Sequence, residues 1–313
     1  MTSADYSKFM PDRYTDHMPA PTPTWWEWNG NTVHVARAVA PDAPVRVLGI
    51  HGAGGYSGAL WPFAGIGVKL GAEVLFPDLP LYGDTVVADP AGVRYEQWVD
   101  LLCDLVRAEK AADDRPLVLL GASIGGLLAY EVAARTGLSD AVVATCLLDP
   151  SNPSARAAAA RFGPMGVYGA PLMRRTERLV GRIRVPIRWV ADVANMSSNR
   201  ELATLCATDP RGGGVRVPLG FLSSYFSFEH TAPEAFRTTP VLLTHPADDR
   251  WTPPELSLQF LRRINAPTEF VMLDGCGHFP VEEPGLTQFH DAVDTLLRSV
   301  AERRHRTKPS SPA

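Results

Sequence analysis

The chain is short of cysteine, of basic charge and of long apolar runs, and each shortage excludes something. Four cysteines in 313 residues, Cys103, Cys146, Cys206 and Cys276, stand far apart with no C-x-x-C pair. Such a set makes neither a disulfide framework nor a structural zinc site; it reads as reduced, mostly buried small apolar residues in a cytosolic, cytoplasmic setting. Lys and Arg number 30 against 34 Asp and Glu, a formal net charge of −4. That balance gives no reason to expect nucleic acid or an anionic membrane as partner. Met1-Thr-Ser-Ala-Asp-Tyr6 has no basic segment leading into an apolar one, so no secretory signal is visible, and no apolar run reaches transmembrane length. What is present, 45% hydrophobic residues over this length, is ample for one α/β core carrying an insertion.

The order of elements can be read from punctuation and period. Residues 1–24, with Pro11, Pro19, Pro21 and Pro23, predict an irregular proline-rich arm that Tyr6, Phe9 and Tyr14 lay over the body. Two alternating runs flank Asn29-Gly30, a strong hairpin signal. From Val45 onward strands alternate with helices: Val45–Ile50, a helix from about Ser57 to Leu70, Glu73–Phe76, a helix near Tyr95–Lys110, Leu117–Gly121, a helix, and Ala141–Leu148. Trp98, Leu101, Leu102, Leu105 and Val106 recur at helical spacing within this series. Alternation of this kind means a parallel sheet with right-handed crossovers. The pattern breaks over 151–239, read as a mainly helical cap, and resumes at Pro240. The core is therefore expected in 25–150 and 240–301, with a last helix from Gly285 to about Ala301 and a solvated, disordered tail over 302–313.

The densest chemical signal is Gly121-Ala-Ser123-Ile-Gly125, where a strand-length apolar run turns straight into an alanine- and leucine-rich helix. A reversal that tight strains the central residue and leaves room only for glycines beside it. It pushes the Ser123 hydroxyl out of the sheet and aims the Ile124 amide, at a helix N-terminus, where an oxyanion would form. A serine needs a base, and His278 follows the elbow in a loop beside Gly275 and Gly277. The acid that steadies it is expected after the preceding strand: Asp249 is favoured over Asp248, with Asp149 a third candidate. His51-Gly52-Ala53-Gly54-Gly55 suits a second oxyanion donor, Ala53 N–H first and Gly54 as the alternative. His51 reads as a structural loop residue at the pocket, not a base, and His17, His34, His230, His245, His290 and His305 take no role. Pocket lining is expected from His51, Gly52, Gly54, Met165, Met173, Met196, Phe221, Tyr225 and Phe226, which as a set favours an apolar acyl or aryl substrate.

Together, His51-Gly-Ala-Gly-Gly-Tyr-Ser57, Gly121-Ala-Ser123-Ile-Gly-Gly126, Ala247-Asp-Asp249-Arg and Gly277-His278-Phe-Pro-Val-Glu-Glu283 resemble the α/β-hydrolase superfamily. Within it they resemble the monoglyceride-lipase and lysophospholipase-like esterases, and Cys206–Pro218 is similar to that branch too. The likeness runs from about Val45 to Arg298. It implies a mostly parallel, eight-stranded type of sheet with helices on both faces and an inserted helical cap. It also implies two-step hydrolysis of a small-molecule ester by Ser123, His278 and Asp249, with Ala53 and Ile124 amides holding the oxyanion and no metal or organic cofactor. Where the family has Gly-x-Gly-x-Ser, this chain has Asp78-Leu-Pro-Leu-Tyr-Gly83-Asp84-Thr85, and the arm before Trp25 lies outside the shared core. The same triad serves thioesterases, acyltransferases and perhydrolases, and a ligand-binding protein with an idle triad is the non-enzymatic alternative.

Overall fold

A computed structural model describes residues 2–16, 18–160 and 174–307. His17, Met165, Met173 and the last six residues of the expected tail lie outside the described residues.

The arm is not irregular. It forms α1 (Ser3–Ser7) and α2 (Asp12–Thr15). Thr2 starts the first, its amide donating to Asp5 Oδ2 at 2.7 Å. Tyr6 and Tyr14 are buried, and the Trp61 indole donates to the Pro19 carbonyl at 2.8 Å. β1 (Thr22–Trp28) begins two residues before the expected end of the arm and pairs antiparallel with β2 (Asn31–Ala38). Their two-residue turn puts Asn29 and Gly30 at φ 46° and 77°, the left-handed pair that a twisted hairpin requires.

The remaining chain builds outward from that hairpin. β3 (Arg46–Ile50) leads into α3 (Ser57–Lys69), and β4 (Glu73–Pro77) precedes α4 (Tyr95–Ala112), whose Trp98, Leu101, Leu102, Leu105 and Val106 are all buried. Each such side chain contributes about 1.5–3 kcal/mol of transfer free energy. β5 (Leu117–Gly121) runs into α5 (Ile124–Thr136), then β6 (Ala141–Ala144). This last strand was expected to reach Leu148. It stops at Ala144, and the next residue turns its side chain to the elbow.

Between β6 and the next sheet strand the chain makes a long excursion. It contains α6 (Pro153–Ala159), a two-stranded antiparallel ribbon of β7 (Arg184–Pro186) and β8 (Arg216–Pro218), α7 (Arg200–Thr208) between them, and α8 (Leu219–Ser227). The ribbon was not foreseen in a segment read as helical. β9 (Val241–Pro246), α9 (Pro254–Leu261), β10 (Thr268–Leu273) and α10 (Gly285–Thr307) complete the fold. α10 outruns its expected end because the first helix breaker after it is Pro309. The sheet order is β1-β2-β4-β3-β5-β6-β9-β10, with β2 antiparallel to both neighbours and the others parallel. Among the described residues no helix is long and apolar enough to cross a membrane.

Candidate active site

The turn from β5 to α5 holds Ser123 at φ 55°, ψ −126°, a conformation that costs a non-glycine residue about 1–3 kcal/mol. Its surroundings over-determine it. The Ser123 amide donates to Thr145 Oγ1 at 3.0 Å, and the Ala122 amide donates to the Ile50 carbonyl at 2.9 Å. A methyl group on Gly121 would be driven into the Gly125 carbonyl, and one on Gly125 into the Ile50 carbonyl. The glycines on either side of Ser123 are therefore required by close backbone approach.

Ser123 Oγ lies 2.9 Å from His278 Nε2, and His278 Nδ1 lies 2.7 Å from Asp249 Oδ2. His278 comes from the loop after β10 and Asp249 from the loop after β9, adjacent strands whose ends bring the two together. Asp249 is buried, yet its carboxylate is well supplied: Oδ1 accepts from the Trp251 and Thr252 amides at 2.8 and 2.9 Å, and Oδ2 from Thr252 Oγ1 at 2.6 Å. Burial pushes its pKa up, but the His278 ring and the donated hydrogen bonds outweigh it and hold the carboxyl well below the usual range. An ionised carboxylate only accepts, so Nδ1 carries the imidazole proton and Nε2 is left to accept from the serine hydroxyl. Trp251 leans on the imidazole with ring centroids 4.7 Å apart. Asp248 is exposed, and Asp149 closes its own turn by accepting from the Ser151 amide and hydroxyl at 2.8 and 2.7 Å.

The loop after β3 lies against the same turn. A Cβ on Gly52 would stand 2.9 Å from Ser123 Cβ and 3.2 Å from the Ile124 amide nitrogen, so only glycine lets the two backbones meet. Ile124 opens α5, where an N–H has no intrahelical acceptor, and among the described residues no acceptor takes the Ala53 N–H. Gly54 has φ 81°, a conformation that suits glycine.

His51 does not line the cavity, contrary to expectation. Its Nε2 accepts the Leu79 amide at 2.9 Å, which leaves Nδ1 as the donor to the Gly52 carbonyl at 2.8 Å. Burial pushes its pKa down, keeping the ring neutral in this tie between two loops. Gly52, Gly54 and Met196 line one lobe of the cavity, with Leu60, Phe63 and Phe279. Phe221, Tyr225 and Phe226 line a second, with Ile187, Leu222 and Trp251. Ser123 and Ala53 stand in both walls.

Sequence reasoning overlooked Thr252 and Thr145. Thr252 carried a signal, since an aspartate followed three residues later by threonine can close a local hydrogen-bonded turn. Thr145 carried none. One cluster of metal-ligating types, His34, Asp78 and Asp84, is explained without an ion. Asp78 already accepts from His34 Nδ1, the Ser57 amide and the Asp84 amide at 2.8, 2.6 and 2.8 Å.

A family model described as "Alpha/beta hydrolase family" matches residues 47–288. The chain belongs to the alpha/beta hydrolase family. Among solved structures, this hydrolase is similar to a soluble variant of monoglyceride lipase from Saccharomyces cerevisiae bound to a substrate analogue. The TM-score is 0.74 at 15% identity, covering 91% of this chain and 97% of that one. It is also similar to a monoacylglycerol lipase from Paleococcus ferrophilus, with TM-score 0.67, 21% identity and coverage of 86% and 99%. Over 116 residues it is 32% identical to a Caenorhabditis elegans protein described as a probable protein phosphatase methylesterase 1. That match takes in 36% of the hydrolase and only 31% of the relative. The arm and the β1–β2 hairpin fall outside the family match.

Proposed function

We propose that this hydrolase cleaves a carboxylic ester with an apolar acyl or aryl part, through an acyl-enzyme formed on Ser123. The observation that carries this reading is the continuous line of hydrogen bonds from Ser123 Oγ through His278 to Asp249. His278 Nε2 takes the hydroxyl proton as Oγ attacks the ester carbonyl, and the imidazolium then returns it to the leaving alkoxide. Asp249 stays ionised, fixes the tautomer and stabilises the cation. The Ala53 and Ile124 amides receive the developing oxyanion, and each such donor is worth on the order of a hundredfold in rate. Water then repeats the sequence in the other direction and frees the acid.

The two lobes support a substrate with apolar groups on both sides of the scissile bond. In this reading the excursion serves as the cap, since its Ile187, Phe221, Leu222 and Tyr225 wall one lobe and its Met196 the other. A fluorophosphonate probe is expected to label the protein, with labelling lost in Ser123→Ala. Activity on p-nitrophenyl esters is expected to rise from acetate toward medium-length acyl chains. Absence of labelling would favour a receptor with an idle triad, and turnover of acetate alone would overturn the apolar acyl site. Faster transfer to a thiol or alcohol than to water would reassign the enzyme as an acyltransferase.

A further inference from the structure

One buried carboxylate outside the triad joins three distant parts of the chain. Asp209 is fully buried just after α7. Its Oδ2 accepts from Tyr6 Oη and from Tyr56 Oη, each at 2.9 Å, and its Oδ1 accepts from the Arg211 amide at 2.9 Å. Tyr6 lies in α1, in the arm beyond the family match; Tyr56 ends the loop that begins His51-Gly52-Ala53; Arg211 belongs to the excursion. Burial foremost, with the Asp209 charge adding to it, pushes both phenols' pKa values up, so both remain donors. A buried carboxylate that loses a donor is costly, so each of the three segments is held in place by the other two.

The same node bears on the oxyanion loop a second time. The Asp209 carbonyl accepts from the Gly212 and Gly214 amides at 3.0 and 2.7 Å, which sets the course of the glycine turn over 212–214. That turn lies against Gly54: Gly213 Cα stands 3.5 Å from where a Gly54 Cβ would be, and a Gly212 side chain would strike the Gly54 carbonyl. The Arg211 guanidinium stacks over the Tyr56 ring at 4.9 Å and pairs with Asp84 at 3.0 Å. The segment that follows Ala53 is thus held twice, at Gly54 by the glycine turn pressing on it and at Tyr56 by its bond to Asp209.

We infer that Asp209 is a positioning residue for the Ala53 oxyanion donor, and that Tyr6 makes the N-terminal arm a working part of the active site. This rests on the ester-hydrolase reading above. Tyr6→Phe and Tyr56→Phe each remove one hydroxyl and leave the ring. A donor displaced by a fraction of an ångström loses part of its worth in the transition state and little in the ground state. With p-nitrophenyl butyrate, kcat per fluorophosphonate-titrated site is expected to fall about tenfold in each variant, with KM nearly unchanged. Affinity for an alkyl trifluoromethyl ketone, which mimics the oxyanion, should fall by the same factor. Because both phenols serve one carboxylate, the double variant should lose less than the product of the two single losses. Tyr14→Phe, in the same arm but away from Asp209, is the control and should leave both readouts at the wild-type value.

Unchanged kcat per titrated site and unchanged ketone affinity in Tyr6→Phe and Tyr56→Phe, with Ser123 still labelled, would overturn the positioning role alone. A fall in thermal stability or titratable sites without a fall in kcat per site would assign Asp209 a purely structural part. Failure of the protein to be labelled at Ser123 would instead remove the reading beneath it.

Discussion

The elbow and the Asp209 node solve one problem, holding a reactive backbone still, by opposite means. At the elbow everything needed lies within a few residues or on the neighbouring strand: glycines at 121 and 125, a helix starting at Ile124, and Thr145 one strand over. At the node the partners are 203 and 153 residues apart along the chain, and a single buried charge draws them together. The first arrangement is fixed as soon as the strands pair. The second exists only once the arm, the oxyanion loop and the excursion have all docked. In the proposed mechanism, local construction gives a rigid nucleophile, whereas long-range construction makes the oxyanion side depend on the completeness of the fold.

Substitutions on the two sides should therefore differ in kind. The largest effect is expected on the elbow's side, from Asp249→Asn. It removes the charge that fixes the His278 tautomer and should lower kcat by about 10⁴-fold with the fold intact, measured by steady-state kinetics beside circular dichroism. A loss of tenfold or less would mean that Thr252 or the backbone holds the ring unaided. A smaller effect, about 10- to 100-fold, is expected from Thr252→Val, which removes the hydroxyl bonded to Asp249 Oδ2 and keeps the amide bonded to Oδ1. An unchanged kcat there would reduce Thr252 to packing.

The smallest effect concerns stability on the excursion's side. Burial lowers the His230 pKa to about 4, against weaker upward pulls from Glu131 and Asp149, and Arg135 adds to the lowering. The folded state therefore binds fewer protons here than the unfolded chain once pH drops below the ordinary histidine range. The stability from keeping this ring neutral is complete above about pH 6.5 and is lost as pH falls toward 4, up to about 3 kcal/mol. His230→Gln should flatten that part of a urea-unfolding series. His51 and His245 are shifted the same way and keep a residual slope. An identical slope in wild type and variant would show that His230 is not the group responsible.

What could be read in advance follows the same division. Asn29-Gly30, the Gly-x-Ser-x-Gly turn and the periodic apolar face of α4 announced themselves because their physics is local. Asp249 and His278 were legible because strand order in such sheets fixes which loops can meet. The arm was legible in part: Tyr6 and Tyr14 are buried against the body as expected, but the prolines hid the helix that Thr2 and Asp5 start, and Tyr6 reaches a carboxylate that no spacing rule could pair with it. His51 is the structural loop residue expected but not the pocket lining, since its position in a glycine-rich loop hid the two backbone groups that claim its ring. β6 stops short because Thr145 serves the elbow, a contact visible only once β5 and β6 lie side by side.

Among the described residues, the walls of the two lobes have only Ala53 and Ser123 in common. In the proposed reading each half of the ester is gauged by its own set of side chains, and drift in one set leaves the other untouched. Descendants of this chain could then trade one preference at a time, altering the fit of the acyl part while that of the alcohol part stays as it was.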